Sequence, residues 1–103
     1  MRYKGNIYLL TSTYTFSSAS DFAWCFKYFN MGRLVGEETG GYIVCFGDII
    51  YTSLPVSKLQ LTISHKEFYG YGATESESHG VIPDYKVNAE DALDYTIEKL
   101  INK

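Results

Sequence analysis

The chain has 103 residues, a formal charge of −3 and 46% apolar residues, which is the size and composition of one folded domain. Its nine Lys and Arg residues are scattered, and this argues against a nucleic-acid partner, which needs clustered cations. The longest apolar runs are too short to cross a bilayer. No cationic segment followed by a long apolar stretch opens the chain, so no signal peptide is expected.

A strand–helix–strand unit is predicted at the start of the chain. Residues 6–11 are apolar and continuous, as a buried strand would be. In residues 18–31 four side chains fall at helical spacing, namely Phe22, Cys25, Phe26 and Phe29. Gly32 is a natural helix stop, and residues 33–36 favour a short strand. Such a unit normally places its two strands in parallel.

The rest of the chain predicts a loop, a hairpin and a last helix. Residues 37–41 form the loop, and residues 48–54 and 59–64 the two hairpin strands, joined through residues 55–58. Residues 69–79 predict a second loop, and residues 81–87 a short extended piece. The tail from Ala89 predicts a helix with one apolar face, formed by Leu93, Ile97, Leu100 and Ile101. The expected fold class is therefore α/β with a mixed sheet.

The two cysteines, Cys25 and Cys45, have neither a CxxC partner nor a histidine at metal-ligand spacing. We therefore expect no metal site, and no cofactor is indicated. Cys25 lies among aromatic residues and favours a buried free thiol. A disulfide between the two cysteines stays open at this point.

Ser18 stands where the first strand gives way to the first turn of the helix. Free backbone amides at a helix start can hold an oxyanion, so this position suits a nucleophile. A purely structural interpretation is that Ser18 caps the helix, with Asp21 completing a capping box.

Three segments in order carry a resemblance. They are TFSSASD at residues 15–21, GEETGG at residues 36–41 and GVIPD at residues 80–84. This succession resembles the tail-specific, or C-terminal-processing, serine peptidase family. The resemblance implies that residues 1–103 are a single domain, the C-terminal portion of a ClpP/crotonase-like catalytic domain. The upstream half and any PDZ module are expected to be absent, and the isolated chain is expected to be inactive.

The resemblance also assigns roles. Ser18 becomes the nucleophile, and the Ala19 N–H one arm of the oxyanion hole. Thr39, Gly40 and Gly41 would lie beside the bound peptide, where glycine permits close backbone approach. The alternative for these three residues is an ordinary turn.

One departure from the family concerns the general base. Relatives with a Ser–Lys dyad carry their lysine about where Tyr42 stands here, so that mechanism is not expected. Tricorn-type relatives use an upstream histidine and a glutamate before the last motif. Glu77 matches that glutamate and would orient the catalytic group; the alternative is a solvated loop acid. His65 and His79 are expected to be exposed or to pin loops.

The expected partners are a polypeptide substrate and either a second copy of the chain, including a strand-swapped one, or the missing N-terminal half. The alternative function is a non-catalytic module that binds apolar ligands or peptides, because repeats of the interphotoreceptor retinoid-binding protein resemble this family. A cavity lined by Phe22, Phe26 and Phe29 would support it. A third possibility is a fragment whose motifs only record ancestry. No localisation signal is expected in this chain and its compartment stays open, whereas the resemblance implies a parent that is exported or lies in the periplasm or cell envelope.

Overall fold

Residues 2–102 are described by a computed structural model, and they form a mixed α/β fold with a parallel sheet, an antiparallel hairpin and a C-terminal helical segment. This confirms the predicted fold class. The strands are β1 (Tyr8–Thr11), β2 (Arg33–Gly36), β3 (Val44–Ser53), β4 (Gln60–Tyr69) and β5 (Tyr85–Lys86); the helices are α1 (Ser18–Tyr28) and α2 (Ala92–Tyr95).

The parallel sheet has the order β1-β2-β5. β1 pairs in parallel with β2 from Tyr8 opposite Arg33 to Thr11 opposite Gly36, and α1 connects the two strands, as the sequence predicts. The inner strand β2 is the buried one, because Leu34 and Val35 are fully shielded from solvent. The predicted buried strand, β1, is only partly covered. Position in the sheet, rather than local hydrophobicity, decides which strand is buried.

Helix α1 ends before Gly32, the predicted stop. Asn30 adopts a left-handed conformation with φ of 54°, the N–H of Met31 donates to the Phe26 carbonyl at 3.0 Å, and the Asn30 N–H donates to Lys27 at 3.0 Å. These bonds form a Schellman-type cap with asparagine in the position usually held by glycine. Gly32 is needed for another reason: a Cβ there would overlap the carbonyl of Ile7 as the chain passes β1.

The core lies between α1 and the sheet. Its buried apolar residues are Ala23, Phe26, Leu34, Ile43 and Val81. The predicted apolar stripe of α1 is therefore only partly buried, since Phe22 and Phe29 are each more than half exposed. The small residues Ser20 and Ala23 share the buried face with Phe26. Their size lets the helix lie close to its neighbours, and this outweighs the larger apolar area of phenylalanine elsewhere on the helix.

The hairpin of β3 and β4 is longer than predicted. Its register runs from Val44 opposite Tyr69 to Ser53 opposite Gln60, and the turn is closed by the Leu54 N–H donating to the Leu59 carbonyl at 2.9 Å. Every residue of β4 and most of β3 are exposed. The molecule measures 64 × 29 × 28 Å, and this projecting hairpin accounts for the long dimension.

The C-terminal segment is helical but irregular. A 3₁₀ turn at Ala89–Asp91 leads into α2, and Thr96–Ile101 continues as a π-helix. The predicted apolar face is not the buried one, because Leu93, Ile97 and Ile101 are 57%, 41% and 59% exposed. Ala92 and Thr96 face inward instead, and the Thr96 hydroxyl donates to the Ala92 carbonyl at 2.7 Å. No helix within residues 2–102 has the length and apolarity to cross a membrane.

Candidate active site

The turn between β1 and α1 holds Ser18 in an exposed position. Ser17, which precedes α1, has φ of 55° and ψ of −130°, a backbone conformation that residues other than glycine rarely adopt and that clusters at functional sites. Ser18 is the first residue of the helix and is solvent-exposed. The helix start has no side-chain cap hydrogen bond, so the capping box considered for Ser18 and Asp21 is not formed. No hydrogen bond of residues 2–102 involves the hydroxyl of this exposed serine.

The two loop glycines lie directly against this turn. The Gly41 N–H donates to the Thr15 carbonyl at 2.9 Å, and the same carbonyl accepts the Ser20 hydroxyl at 2.9 Å. A Cβ on Gly40 would overlap the Thr13 carbonyl, and a Cβ on Gly41 would overlap the Ser20 hydroxyl. The structure therefore brings Gly40 and Gly41 into contact with the segment that carries Ser18, and glycine is required there by close approach.

Thr39 connects two of the sequence motifs. Its buried hydroxyl donates to the Gly41 carbonyl at 2.8 Å and accepts the Val81 N–H at 2.7 Å. The Thr39 N–H also donates to the Val81 carbonyl at 3.1 Å. The Thr39 hydroxyl therefore uses its donor and an acceptor position within the protein, and it holds the glycine loop against the GVIPD segment.

Three carboxylates that the sequence did not identify as site residues accept backbone hydrogen bonds that hold the segments of the site together. Glu37 accepts the N–H of Thr13 at 3.2 Å and of Ala89 at 3.1 Å. Glu38 accepts the Gly80 N–H at 2.9 Å, and Asp84 accepts the Leu34 N–H at 2.8 Å. These carboxylates lie within the two motif segments, and those of Glu38 and Asp84 provide partners for amides that are partly buried. Their place in the motifs was the sequence signal that could have identified these carboxylates, although their hydrogen-bond partners are distant in sequence.

We expect the stability of the fold to decrease on acidification, in part through Glu37. Hydrogen bonds from Ala89 and then Thr13 lower the pKa of its carboxyl from the ordinary 4.5. A carboxyl whose pKa is lower in the folded chain stabilises the fold above its unfolded pKa, and this contribution is lost as the pH falls through the folded pKa. Urea unfolding between about pH 6 and about pH 3 should show a shallower dependence for Glu37→Gln than for Glu98→Gln, an exposed control. Identical slopes would contradict this role.

Ala19 and Glu77 are both engaged within the protein. The Ala19 N–H, assigned to an oxyanion hole, donates to the Phe16 carbonyl at 3.1 Å. Glu77 caps the 3₁₀ turn at Glu75–Glu77, where one carboxylate oxygen accepts the Thr74 N–H and hydroxyl, both at 2.7 Å. These bonds lower the pKa of the Glu77 carboxyl. Among the hydrogen bonds of residues 2–102, none joins Glu77 to Ser18.

The histidines also have other contacts. His65 lies within β4, with Nε2 3.5 Å from an Asp48 carboxylate oxygen. His79 Nδ1 lies 2.6 Å from the Gly80 carbonyl oxygen, and its own carbonyl accepts the Ile43 N–H at 2.9 Å. Tyr42, where the dyad lysine would stand, forms a β-bridge with Gly80. In the described part of the chain, no hydrogen bond links these side chains to Ser18.

A cleft of about 550 Å³ opens between the start of α1 and the base of the hairpin. It is mostly apolar, and its lining residues are Phe16, Ser17, Asp21, Gly40, Gly41, Tyr42, Cys45, Phe46, Gly47, Asp48 and Phe68. Because Ser17, Gly40 and Gly41 form part of its wall, the cleft lies beside the candidate nucleophile Ser18. It was not predicted, because the hairpin base comes from two distant segments.

The remaining groups that could react or bind a metal are the two cysteine thiols and the His, Asp and Glu side chains. Cys25 and Cys45 are free thiols. The expectation of a free thiol at Cys25 agrees with the structure, but Cys25 is only partly buried, and Cys45 is exposed. Within residues 2–102 no group of three His, Cys, Asp or Glu side chains is placed to hold a metal ion.

Comparison with models of known protein families identifies the family of this chain. A model of peptidase family S41 matches residues 1–87, which includes the turn at Ser18, the glycine loop and the GVIPD segment. The chain belongs to peptidase family S41. The resemblance drawn from the three motifs is thereby confirmed.

Proposed function

We propose that this S41 chain provides the nucleophile of a serine-type endopeptidase that cleaves peptide bonds of protein substrates near their C-termini. The observation that carries the proposal is the exposed Ser18 at the start of α1, which follows a residue with φ of 55° on the turn against which Gly40 and Gly41 pack. A sharp strand-to-helix turn that presents a serine next to backbone amides is suited to acyl transfer.

In the proposed reaction, Ser18 Oγ attacks the carbonyl carbon of the scissile peptide bond while a base accepts the hydroxyl proton. The proton then passes to the leaving amine, the C–N bond breaks, and water hydrolyses the resulting ester on Ser18. The Ala19 N–H serves the oxyanion only when its 3.1 Å bond to Phe16 opens. An oxyanion is the stronger acceptor, because hydrogen bonds to charged groups exceed those to neutral carbonyls.

The base comes from a second polypeptide segment in this proposal. No hydrogen bond of residues 2–102 links the Ser18 hydroxyl to a lysine, a histidine or a glutamate, and the lysine position of the dyad is occupied by Tyr42. A serine without a base is a poor nucleophile, so the isolated chain is proposed to be inactive. Glu77 would act as the orienting acid after release from its bonds to Thr74.

We propose that the hairpin supplies the surface on which the second segment assembles, either as a second copy of this chain or as another part of a longer protein. Two-stranded hairpins are marginally stable without a covering layer. Here Ile50 lies opposite Ile63, and Leu61 lies on the same face two residues away; the three side chains are 48%, 45% and 40% exposed. Both hairpin edges are also unpaired in the two-stranded sheet, which favours pairing with another strand.

If the second segment is another copy of this chain, we expect Ile63→Lys to weaken the dimer at least about tenfold, because it places a charge on the apolar face that the dimer would bury. The matched control is Thr62→Lys, which changes the neighbouring residue on the opposite face of β4. Sedimentation equilibrium over a concentration series measures both. A wild-type chain that stays monomeric at the highest concentrations would contradict self-association.

The alternative function is non-catalytic binding of a peptide or apolar ligand, and the mostly apolar cleft favours it. The three phenylalanines expected to line such a cavity are instead divided between core and surface: Phe26 is buried, whereas Phe22 and Phe29 are more than half exposed. A binding site in this chain would use the cleft at the hairpin base.

A fluorophosphonate probe separates the two functions. The protein is taken from its native cells with whatever chains accompany it, and covalent labelling is followed by in-gel fluorescence. The peptidase proposal expects labelling that Ser18→Ala removes. Labelling of the wild type no stronger than that of Ser18→Ala would favour the binding module.

A further inference from the structure

We infer that the cleft beside Ser17 accepts a basic side chain of the bound peptide, arginine in preference to lysine, and that Asp21 is the carboxylate that recognises it. This specificity rests on the proposed peptide-cleaving function, because it concerns the side chain held next to Ser18. The inference is based on the aromatic side chains and the carboxylates that line the cleft.

The wall combines aromatic surfaces with a carboxylate. Phe16, Phe46 and Phe68 line the cleft, and they are 56%, 70% and 47% exposed, so their rings are available to a ligand. Tyr42 adds a fourth aromatic side chain. Aromatic faces bind the aliphatic stem of a long side chain and attract a cationic head by cation–π interaction. The planar guanidinium of arginine stacks on such rings better than an ammonium does.

Of the two acids in the wall, only Asp21 is left for a ligand. Asp48 is paired with Lys66 at 2.6 Å and with His65 at 3.5 Å. In residues 2–102, no hydrogen bond or ion pair involves the Asp21 carboxylate, and it does not cap its own helix. The lining residues include no lysine, arginine or histidine. A cationic ligand would therefore meet one exposed carboxylate without a hydrogen-bond or ion-pair partner in the wall of a largely apolar cleft.

The balance of energies separates a basic side chain from an apolar one. An apolar side chain would fit the phenylalanine wall but would desolvate the Asp21 carboxylate without a partner, which is costly. A guanidinium keeps the aromatic contacts and provides charge-assisted hydrogen bonds to that carboxylate. An acidic side chain would be repelled. In this arrangement a single carboxylate in a mostly apolar cleft selects the charge of the ligand side chain. Asp21 lies one helical turn after Ser17, and both residues line the cleft.

Binding, rather than turnover, provides the test. The 103-residue chain carrying Ser18→Ala is titrated with fluorescein-labelled peptides that differ at a single position, which is arginine, norleucine or glutamate. Fluorescence anisotropy should show arginine binding about tenfold tighter than norleucine, equivalent to about 1.4 kcal/mol. Asp21→Asn should remove this preference, whereas Asp94→Asn, an exposed acid of α2 outside the cleft, should retain it.

A charge reversal excludes misfolding as the explanation. Asp21→Lys should turn the preference toward the glutamate peptide, and a misfolded protein would gain no such binding. Equal affinity for arginine and norleucine, an unchanged preference in Asp21→Asn, or no binding of any peptide would each overturn the inference. A failure to label with fluorophosphonate would instead remove the catalytic role of Ser18 and leave an Asp21-dependent preference intact.

Discussion

Replacing Ser18 by alanine is expected to reduce peptide hydrolysis by the assembled protein by about four to six orders of magnitude. Removal of a nucleophile leaves only the contribution of substrate binding and oxyanion stabilisation. The fold should be unaffected, because the Ser18 side chain is exposed and does not cap α1. Rates are measured by mass spectrometry of cleavage products, and circular dichroism monitors folding.

Two serine variants separate chemistry from structure in this experiment. Ser64→Ala changes an exposed serine on β4 and should leave the rate unchanged. Ser20→Ala removes the hydroxyl that donates to Thr15 and should lower stability by about 1 kcal/mol with a much smaller loss of rate than Ser18→Ala. Hydrolysis by Ser18→Ala at near the wild-type rate would exclude Ser18 as the nucleophile.

Replacing Gly40 by alanine is expected to destabilise the fold by about 2 to 3 kcal/mol and to abolish labelling at the site. The added Cβ would overlap the Thr13 carbonyl and the ring of Phe16. A backbone carbonyl held in the turn cannot move aside without displacing the segment that carries Ser18. Urea unfolding measures the change in free energy.

The control for steric overlap is Gly5→Ala. The new Cβ at Gly5 would also overlap a neighbour, but that neighbour is the end of the Tyr3 side chain, which is 74% exposed and free to rotate. This variant should cost less than about 1 kcal/mol. Equal stability of Gly40→Ala and Gly5→Ala would show that the glycine loop does not pack on the turn as described.

The sequence predicted the elements whose signals are local. The strand–helix–strand start, the position of Ser18 at the helix start and the hairpin turn after Leu54 follow from hydrophobic runs and turn residues. The hairpin strands were predicted too short, because Gly47 and the charged stretch at residues 65–67 interrupt the alternation. Once pairing has begun, cross-strand hydrogen bonds extend the ladder through such residues.

The buried faces of both helices were harder to predict, because they depend on packing. In α1 the small side chains of Ser20 and Ala23 face the core, where close approach to Gly41 and the sheet leaves no room for Phe22. At the C-terminus Ala92 and Thr96 face inward in place of Leu93 and Ile97, and the π-helix of Thr96–Ile101 changes the spacing on which the positions of Leu100 and Ile101 relied. A period of 3.6 residues identifies the face only of a regular helix.

The site was predictable in part. Motif order located Ser18 and the glycine loop, and the structure places these segments in contact. The bonds that hold them, from Glu37, Glu38 and Asp84 to amides, join residues far apart in sequence and require the fold. The same holds for the cleft, since Asp21 and Phe68 line one cavity only when the hairpin base lies near α1.

The most direct measurement is the location of a fluorophosphonate adduct on the native assembly. Proteolytic digestion followed by tandem mass spectrometry distinguishes Ser17, Ser18 and Ser20, which lie within one short segment. A single adduct on Ser18 Oγ is the predicted result. An adduct on Ser17 or Ser20, or a wild-type protein that remains unmodified while active peptidases in the same sample are labelled, would contradict the proposal that Ser18 is the nucleophile.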